Sequence, residues 1–448
     1  MSRKWLTCIP VLAGTLVLLA SPMVARADSG FVAPLNEIPL TNPLVTGARA
    51  AGMGFVSMAL ADDATAITSN PAALTRLKRG ELSAGFRRST LGIDGEMAES
   101  EFSTDLTGTH FASARFAYPF PTFRGSLVLG LSFERIYDFS DDRLASYSDT
   151  IEWSENPDAD PPEPDLRDLW ASEEDYIADG GMNALSFACA FDASPIISLG
   201  ATVSFMSGDY SKDWFWDLYD DYGVSDRYAE VHIMERYKAD ITGVRVTLGS
   251  LFYVAEGLSV GVAVDTPTWL TFEGTARSYV EKVESDSTTV YDSSVLFRDN
   301  VTLPFAFRGG VAYAPLDFIV VGVDLSYSDW SQMDYEGRIT VIEGGPGGLE
   351  RRGLYKETLG YGVGAELTVP TWPLRLRGGY VSRPMAYNGL EVTRDRSYYT
   401  LGAGILIDTV LAIDVAWMKG TYEREDRDFA YYETVENSAL IVEAAYRF

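Results

Sequence analysis

The chain ends in "NSALIVEAAYRF", residues 437–448, and this stretch decides how the rest is read. Leu440, Val442, Ala444, Tyr446 and Phe448 fall on one face, and Ala439, Ile441, Glu443, Ala445 and Arg447 on the other. That is the period-two alternation of a β-strand. Working back, the same alternation recurs in "LAIDVAWMKG" (Leu411, Ile413, Val415, Trp417), "DFIVVGVDLSYSDW" (Ile319, Val321, Val323, Leu325, Tyr327), "GLSVGVAVD" (Leu258, Val260, Val262, Val264) and "GVRVTLG" (Val244, Val246, Leu248). The opposite faces carry Gly, Ser, Thr, Asp and Arg. An edge strand of a soluble sandwich would also alternate, but apolar outside and polar inside, repeated along the chain, is the pattern of a transmembrane barrel.

A terminal aromatic on the apolar face is similar to the closing strand of bacterial outer-membrane barrels, and the start of the chain agrees. "MSRK" is basic, "VLAGTLVLLA" is apolar, and "ARA" before Asp28 reads as a cleavage site, so residues 1–27 are expected to be a signal peptide. Cys8 precedes the apolar run, which argues against lipid attachment there. The mature chain keeps Cys189 alone, so no internal disulfide is expected. No mature stretch approaches the roughly 18 apolar residues of a membrane helix. The net charge is −28, and the leader removes only bases, so nucleic acid is excluded as a partner.

Fourteen strands are expected, starting near residues 80, 109, 124, 181, 195, 240, 256, 303, 317, 357, 373, 397, 411 and 437. Links after even-numbered strands are tight: "PFPTF", "DASP", "AEG", "APLD", "PTWP" and "DTV". Those after odd-numbered strands are long and polar, including 139–180, 209–239 and 274–302. Short turns at one end and long loops at the other suit an antiparallel 14-stranded outer-membrane barrel with both termini in the periplasm. An even, closed count leaves no unpaired edge in hydrocarbon. The acidic "DADPPEPD" and "SEEDY" read as a solvated loop, or one bridged by divalent cations to lipopolysaccharide; no "DxDxDG" site is present.

Residues 28–79 precede the barrel of 80–448 and are too apolar for a disordered tail. Gly52, Gly54 and many alanines permit close packing, and Pro71 forces a turn, so this segment is expected to fold into the lumen as a hatch. "GARAAGMGFVSMALADDATAITSNPAAL" resembles the hatch of the FadL/TodX family through its small-residue run from Gly47 to Gly54, its acidic pair Asp62 and Asp63, and its Asn70, Pro71, Ala72 turn. "PFAFRGGVAYAPLDFIVVGVDLSYSDWS" (304–331) resembles that family's paired strands ending in Tyr, Asp and Trp.

The resemblance implies a fourteen-stranded outer-membrane transporter of long-chain fatty acids and other hydrophobic compounds, monomeric, without cofactor, metal or enzymatic activity. It also implies capture at a hydrophobic loop, here "DYSKDWFWDLYDDYG" with Trp214, Phe215, Trp216 and Leu218, and sideways release through a gate at the third strand, where Gly125 and Gly130 permit a kink. Release into lipid keeps the burial energy of a sixteen-carbon tail, on the order of 10 kcal/mol at ~0.8 kcal/mol per CH₂.

Alternation points Arg115, Arg245, Arg308, Arg375, Arg377 and Arg383 inward with Asp265, Asp324, Glu366, Asp414 and Glu443, most of them to pair. Arg245 and Arg308 are the candidates for gripping a carboxylate. Two rival functions remain open. His110 and His232 lack a recognisable nucleophile context for a lipase. A scaffold or shuttle for secreted proteins is the alternative, and it would fill its lumen where a transporter keeps a pocket.

Overall fold

The computed structural model describes residues 40–44, 46–97, 100–153, 166–220, 228–284, 286–337, 355–388, 390–426 and 430–448. The expected leader, residues 28–39 and the "DADPPEPD" run lie outside them. Among the described residues are eighteen strand segments: β1 (Glu81–Met97), β2 (Ser100–Phe120), β3 (Leu127–Asp138), β4 (Asp141–Trp153), β5 (Leu166–Ser194), β6 (Ile197–Tyr219), β7 (Tyr228–Ala255), β8 (Leu258–Asp265), β9 (Thr268–Glu284), β10 (Thr288–Leu303), β11 (Ala306–Leu316), β12 (Ile319–Asp329), β13 (Asp334–Glu336), β14 (Glu357–Thr368), β15 (Leu374–Ser382), β16 (Glu391–Ile407), β17 (Leu411–Asp426) and β18 (Tyr431–Arg447).

They form fourteen staves of one closed antiparallel sheet. β4 continues β3 along β5, β9 continues β8 along β7, and β10 runs into β11 on the same partner stave. β13 rides on β10 for three residue pairs. The barrel closes where β1 meets β18, from Glu81↔Arg447 to Met97↔Tyr431. All six short turns fall where the tight links were read.

Side-chain direction follows the alternation. Leu82, Phe86, Leu248, Val323, Leu325, Val442 and Phe448 are exposed on the outer wall, while Ser186, Ser204, Arg115 and Glu366 are buried inside. In water this would be an inverted protein; in a bilayer the exposed valines and leucines face lipid.

The segments read as long polar loops are a correction to that reading. β5 has 29 residues, β6 has 23 and β7 has 28, against about 9–11 needed to cross a membrane. Their upper halves, with β4, β9 and β10, stand above the bilayer as a continuous sheet. Outside lipid neither face must be apolar, so the hydropathy signal fades while the hydrogen-bond ladder continues. This is why strands entered from above begin earlier than expected, at Ser100, Leu166 and Tyr228 in place of 109, 181 and 240.

Residues 46–79 pack inside the barrel through a short helix, Ala48–Gly52, and two 3₁₀ turns, Ala64–Ile67 and Pro71–Arg76. Ala48, Ala51, Met53, Ala64, Ala66, Ile67, Ala72, Ala73 and Leu74 are fully buried. Backbone touches backbone here: a Cβ on Gly200 would sit 2.5 Å from Ala72 N, and one on Gly261 would collide with Met58 O. Gly54 turns at φ +65 against β14 and β15.

Candidate substrate cavity

Between this inner segment and the wall lies a cavity of about 320 Å³. Its floor is Gly47, Ala50, Phe55, Ser57, Met58 and Thr68; its sides include Glu134, Arg245, Asp265, Arg308, Asp324 and Arg383.

The floor is held by buried polar anchors. Asn70 donates through Nδ2 to Met58 O (2.7 Å) and Ser250 O (3.1 Å), and its Oδ1 accepts from Ala72 N (3.2 Å). One side chain therefore ties the turn to itself and to β7. Asp63 caps the turn Ala64–Ile67 by accepting from Thr65 N. Asp62 pairs with Arg49, and Arg49 also grips Glu366 at 2.9 and 3.0 Å. Asp324 accepts from the backbone N–H groups of Ser57 (2.7 Å) and Met58 (2.9 Å).

Most inward charges pair, as alternation implied. Arg115 binds Glu134 and Glu443 at 2.6 Å each and donates to Thr46 at 2.7 Å, linking β2, β3 and β18 to the inner segment. Arg377 pairs with Glu366 and Asp414, and Arg375 lies 4.0 Å from Glu366. Arg383 stacks over the Phe55 ring at 4.5 Å and donates to Pro43 O at 2.7 Å.

Of the two arginines singled out for a carboxylate, Arg308 already holds an acid. Arg308 Nη2 donates to Asp265 Oδ1 at 2.8 Å, and Thr247 Oγ1 donates to the same oxygen at 2.6 Å. Arg245 lines the same cavity, and its buried Nε has no hydrogen-bond partner; Arg308 Nε is likewise unpartnered. With one Arg308 N–H spent on Asp265, the two guanidiniums together keep donor capacity for an incoming acceptor.

Beside the cavity the lumen carries a cluster of buried aromatic rings. Tyr137 lies at the cavity edge, Phe139 packs on Tyr210 at 5.5 Å, and Tyr237 stacks on Phe297 at 4.6 Å.

Two expectations are corrected. Trp216 and Leu218 are not on an exposed capture loop: they are 3% and 0% exposed, packed with Trp170, Tyr228 and Val231 in the upper sheet. Trp214 stacks on Trp216 at 6.0 Å, and Trp214 and Phe215 are half-buried. The run is strand, so alternate residues turn inward and burial of apolar area wins. Gly130 makes no kink. It pairs regularly between Ala117 and Ala188 and fits against Ile67, while the irregularity lies higher, between Arg135 and Tyr137. Sequence reasoning missed Arg49, Thr46, Glu134 and Phe55; nothing marks their long-range partners, which meet only when the inner segment enters the barrel.

Both histidines face carboxylates. His110 Nε2 lies 3.2 Å from Asp138. His232 sits in the upper sheet with Nδ1 2.7 Å from Asp217 and Nε2 3.3 Å from Glu230. Partial burial opposes its charge, but the hydrogen bond and charge of Asp217, joined by Glu230, outweigh that and raise its pKa. A raised folded pKa gives stability that is complete below the unfolded value, about 6.5, and is lost as pH rises through the folded one. Amide exchange in Trp214–Tyr219 is therefore expected to quicken from pH 6 to pH 9 beyond the intrinsic rate change, and Asp217→Asn should flatten that extra dependence.

No family profile and no curated protein matches this sequence. Solved structures do match in fold. The Pseudomonas putida toluene transporter TodX superposes with a TM-score of 0.61 at 14% identity, covering 90% of this chain and 98% of that one. A Pseudomonas aeruginosa FadL homologue gives 0.60 at 14% identity, covering 91% and 100%. The Ralstonia pickettii toluene transporter TbuX gives 0.58 at 15% identity, covering 92% and 100%. The chain has the closed fourteen-stranded fold of these FadL/TodX-type barrels.

Proposed function

We propose that the protein carries hydrophobic small molecules, long-chain fatty acids or aromatic hydrocarbons, inward across the outer membrane, and that it is not an enzyme. Residues 28–79 act as its hatch, residues 1–27 as its cleaved leader. A ligand passes the ring-lined upper lumen, rests in the cavity over Phe55 and Met58, and leaves sideways into the membrane, where its apolar surface stays out of water. The toluene transporters of like fold favour this substrate class.

The observation that carries the reading is the cavity itself, lined by Arg245 and by Arg308, each with an unpartnered Nε, in a lumen whose other charges are mostly paired. A scaffold has no need of such a space. If the ligand is an acid, Arg245 is its anchor, and a charge-assisted hydrogen bond contributes about 1.5–3 kcal/mol, roughly 10- to 100-fold in affinity. Palmitate and toluene binding to detergent-purified protein separates the cases. Arg245→Met should weaken palmitate by that factor and leave toluene unaltered. Unchanged palmitate affinity would remove Arg245 from the site; binding of neither ligand, with a co-purifying secreted protein, would favour the scaffold.

A further inference from the structure

The lipid-facing wall carries a trough. A groove of about 550 Å³ crosses β11, β12, β14 and β15 on the outside of the barrel, walled by Val311, Val321, Val323 and Val363, with Tyr313 and Tyr380 at its rim. Its floor is Ala365 beside Gly378, paired across β14 and β15. Both point outward: Ala365 is exposed, and a Cβ on Gly378 would lie 3.9 Å from Cδ2 of the outward Leu401. Above the floor the ledge is aromatic, with Tyr380 between Tyr361 at 6.1 Å and Tyr399 at 5.2 Å.

The trough is shut from within. The ladders beneath it are continuous from Ala306↔Ser328 to Tyr313↔Val321, from Ile319↔Leu367 to Asp329↔Glu357 and from Tyr361↔Ser382 to Thr368↔Arg375. Behind them the backbone of the inner segment occupies the space that inward glycines leave: a Cβ on Gly364 would collide with Met53 O, one on Gly379 with Gly54 N, and one on Gly322 with Val56. Packed chain therefore braces these staves, which cannot bow inward and flatten the groove. It is a preformed seat, separate from the lumen and from whatever the barrel carries.

Depth, shape and charge select the occupant. Ala365 and Gly378 stand three and four residues above Thr368 and Leu374, where the short turn joins β14 to β15. At a rise of about 3.3 Å per residue and a tilt of about 40° that is about 8–10 Å, in the lower half of an apolar band about 25 Å tall, at the depth of the periplasmic leaflet. A second barrel does not fit: a stable interface buries about 1,200–2,000 Å² in close contact, whereas Phe307, Leu325, Leu359, Tyr361, Leu367 and Leu376 project around the groove and would hold a neighbouring wall away. A single acyl chain enters between them. At the foot of the trough the two turns adjoin, Thr368 N donating to Phe318 O at 2.8 Å, and Trp372 is exposed at headgroup level. Neither 314–319 nor 368–374 contains a lysine or arginine, and Asp317 is their one charged residue, which suits an ammonium and disfavours a net anionic head.

We propose that this trough is a binding site for one acyl chain of a zwitterionic phospholipid of the periplasmic leaflet, with the headgroup ammonium beside Asp317.

Photolabelling of the intact barrel tests it, in vesicles of phosphatidylethanolamine that carries a diazirine in one acyl chain. Val415 is the internal control: it stands four residues above Leu411 as Val323 stands four above Ile319, and the two are 37% and 45% exposed to lipid. Label at Val323 and Val363 should exceed label at Val415 at least fivefold, and a phosphatidylglycerol probe should lose at least threefold of that excess. Gly378→Leu fills the floor from a position with open space outside, and should bring Val323 and Val363 within twofold of Val415. Heat-modifiable migration in gels reports assembly, and Ala365→Leu fills the same floor in case the first variant does not assemble. Asp317→Asn should abolish the preference for phosphatidylethanolamine and keep the excess at Val323. Equal label at Val323 and Val415 in the wild type, which is ordinary surrounding lipid only, would overturn the site, as would an undiminished excess in the assembled floor variants. Label at Met53 or Val56 would show that the groove opens inward, and photolinked pairs of barrels in place of lipid adducts would show a second copy there; either result overturns the proposal.

Discussion

Arg115→Met is expected to unseat the inner segment and to cost the barrel about 3–5 kcal/mol, the usual penalty for removing one member of a buried ion pair. Arg115 is 1% exposed and holds Glu134 and Glu443 at 2.6 Å each, and both acids in turn serve the inner segment. Glu134 accepts from Thr46 at 2.8 Å, and Glu443 accepts from Ala48 N at 2.9 Å. Methionine fills the volume but leaves two buried carboxylates facing one another without a cation. The expected readout is a lower thermal midpoint for gel migration of the folded barrel, together with steady ion conductance in planar bilayers where the wild type passes little. Adding Glu443→Gln to Arg115→Met should recover part of the loss, because it removes one of the stranded charges. Wild-type stability and conductance in Arg115→Met would show that the network is not what holds the segment.

Asn70→Ala is expected to act at the opposite end of the same segment and nearly as strongly. The side chain is fully buried and makes three hydrogen bonds, to Met58 O, Ser250 O and Ala72 N. Truncation leaves those groups without partners; at about 1–3 kcal/mol per stranded buried group, partly relieved by water, a loss of about 3 kcal/mol follows. The turn rests on Gly200, Gly249 and Gly261, so it has little room to find other partners without leaving the wall. Asn70→Asp should be no rescue: it keeps the acceptor toward Ala72 but offers Met58 O and Ser250 O no N–H and adds a buried charge. Raised bilayer conductance and faster protease cleavage between residues 46 and 79 are the measurements, and an effect in Asn70→Ala smaller than in a surface control such as Arg79→Ala would refute the anchor role.

Much of this protein was legible from two facts about each strand, which residues are apolar and which positions alternate. Val323 and Leu325 face out and Asp324 faces in because a chain crossing a bilayer must satisfy lipid on one side only. The same rule gave the inward course of Arg245 and Arg308. It stops at the membrane edge. Above it, Trp216 and Leu218 read as exposed because nothing local distinguishes a loop aromatic from one in a sheet whose neighbour, Trp170, arrives from another hairpin. Gly130 read as a weak point because glycines are flexible in isolation, whereas in the barrel Ile67 fills the space beside it.

By itself, then, the sequence determined a closed fourteen-stave barrel with a charged interior, since alternation, turn length and parity are local or countable properties of one chain. Which charges pair and where a cavity survives were decided only by tertiary structure. Register between staves brings together residues that are distant along the chain, as Asp62 and Glu366 are on Arg49, and no local pattern carries that information.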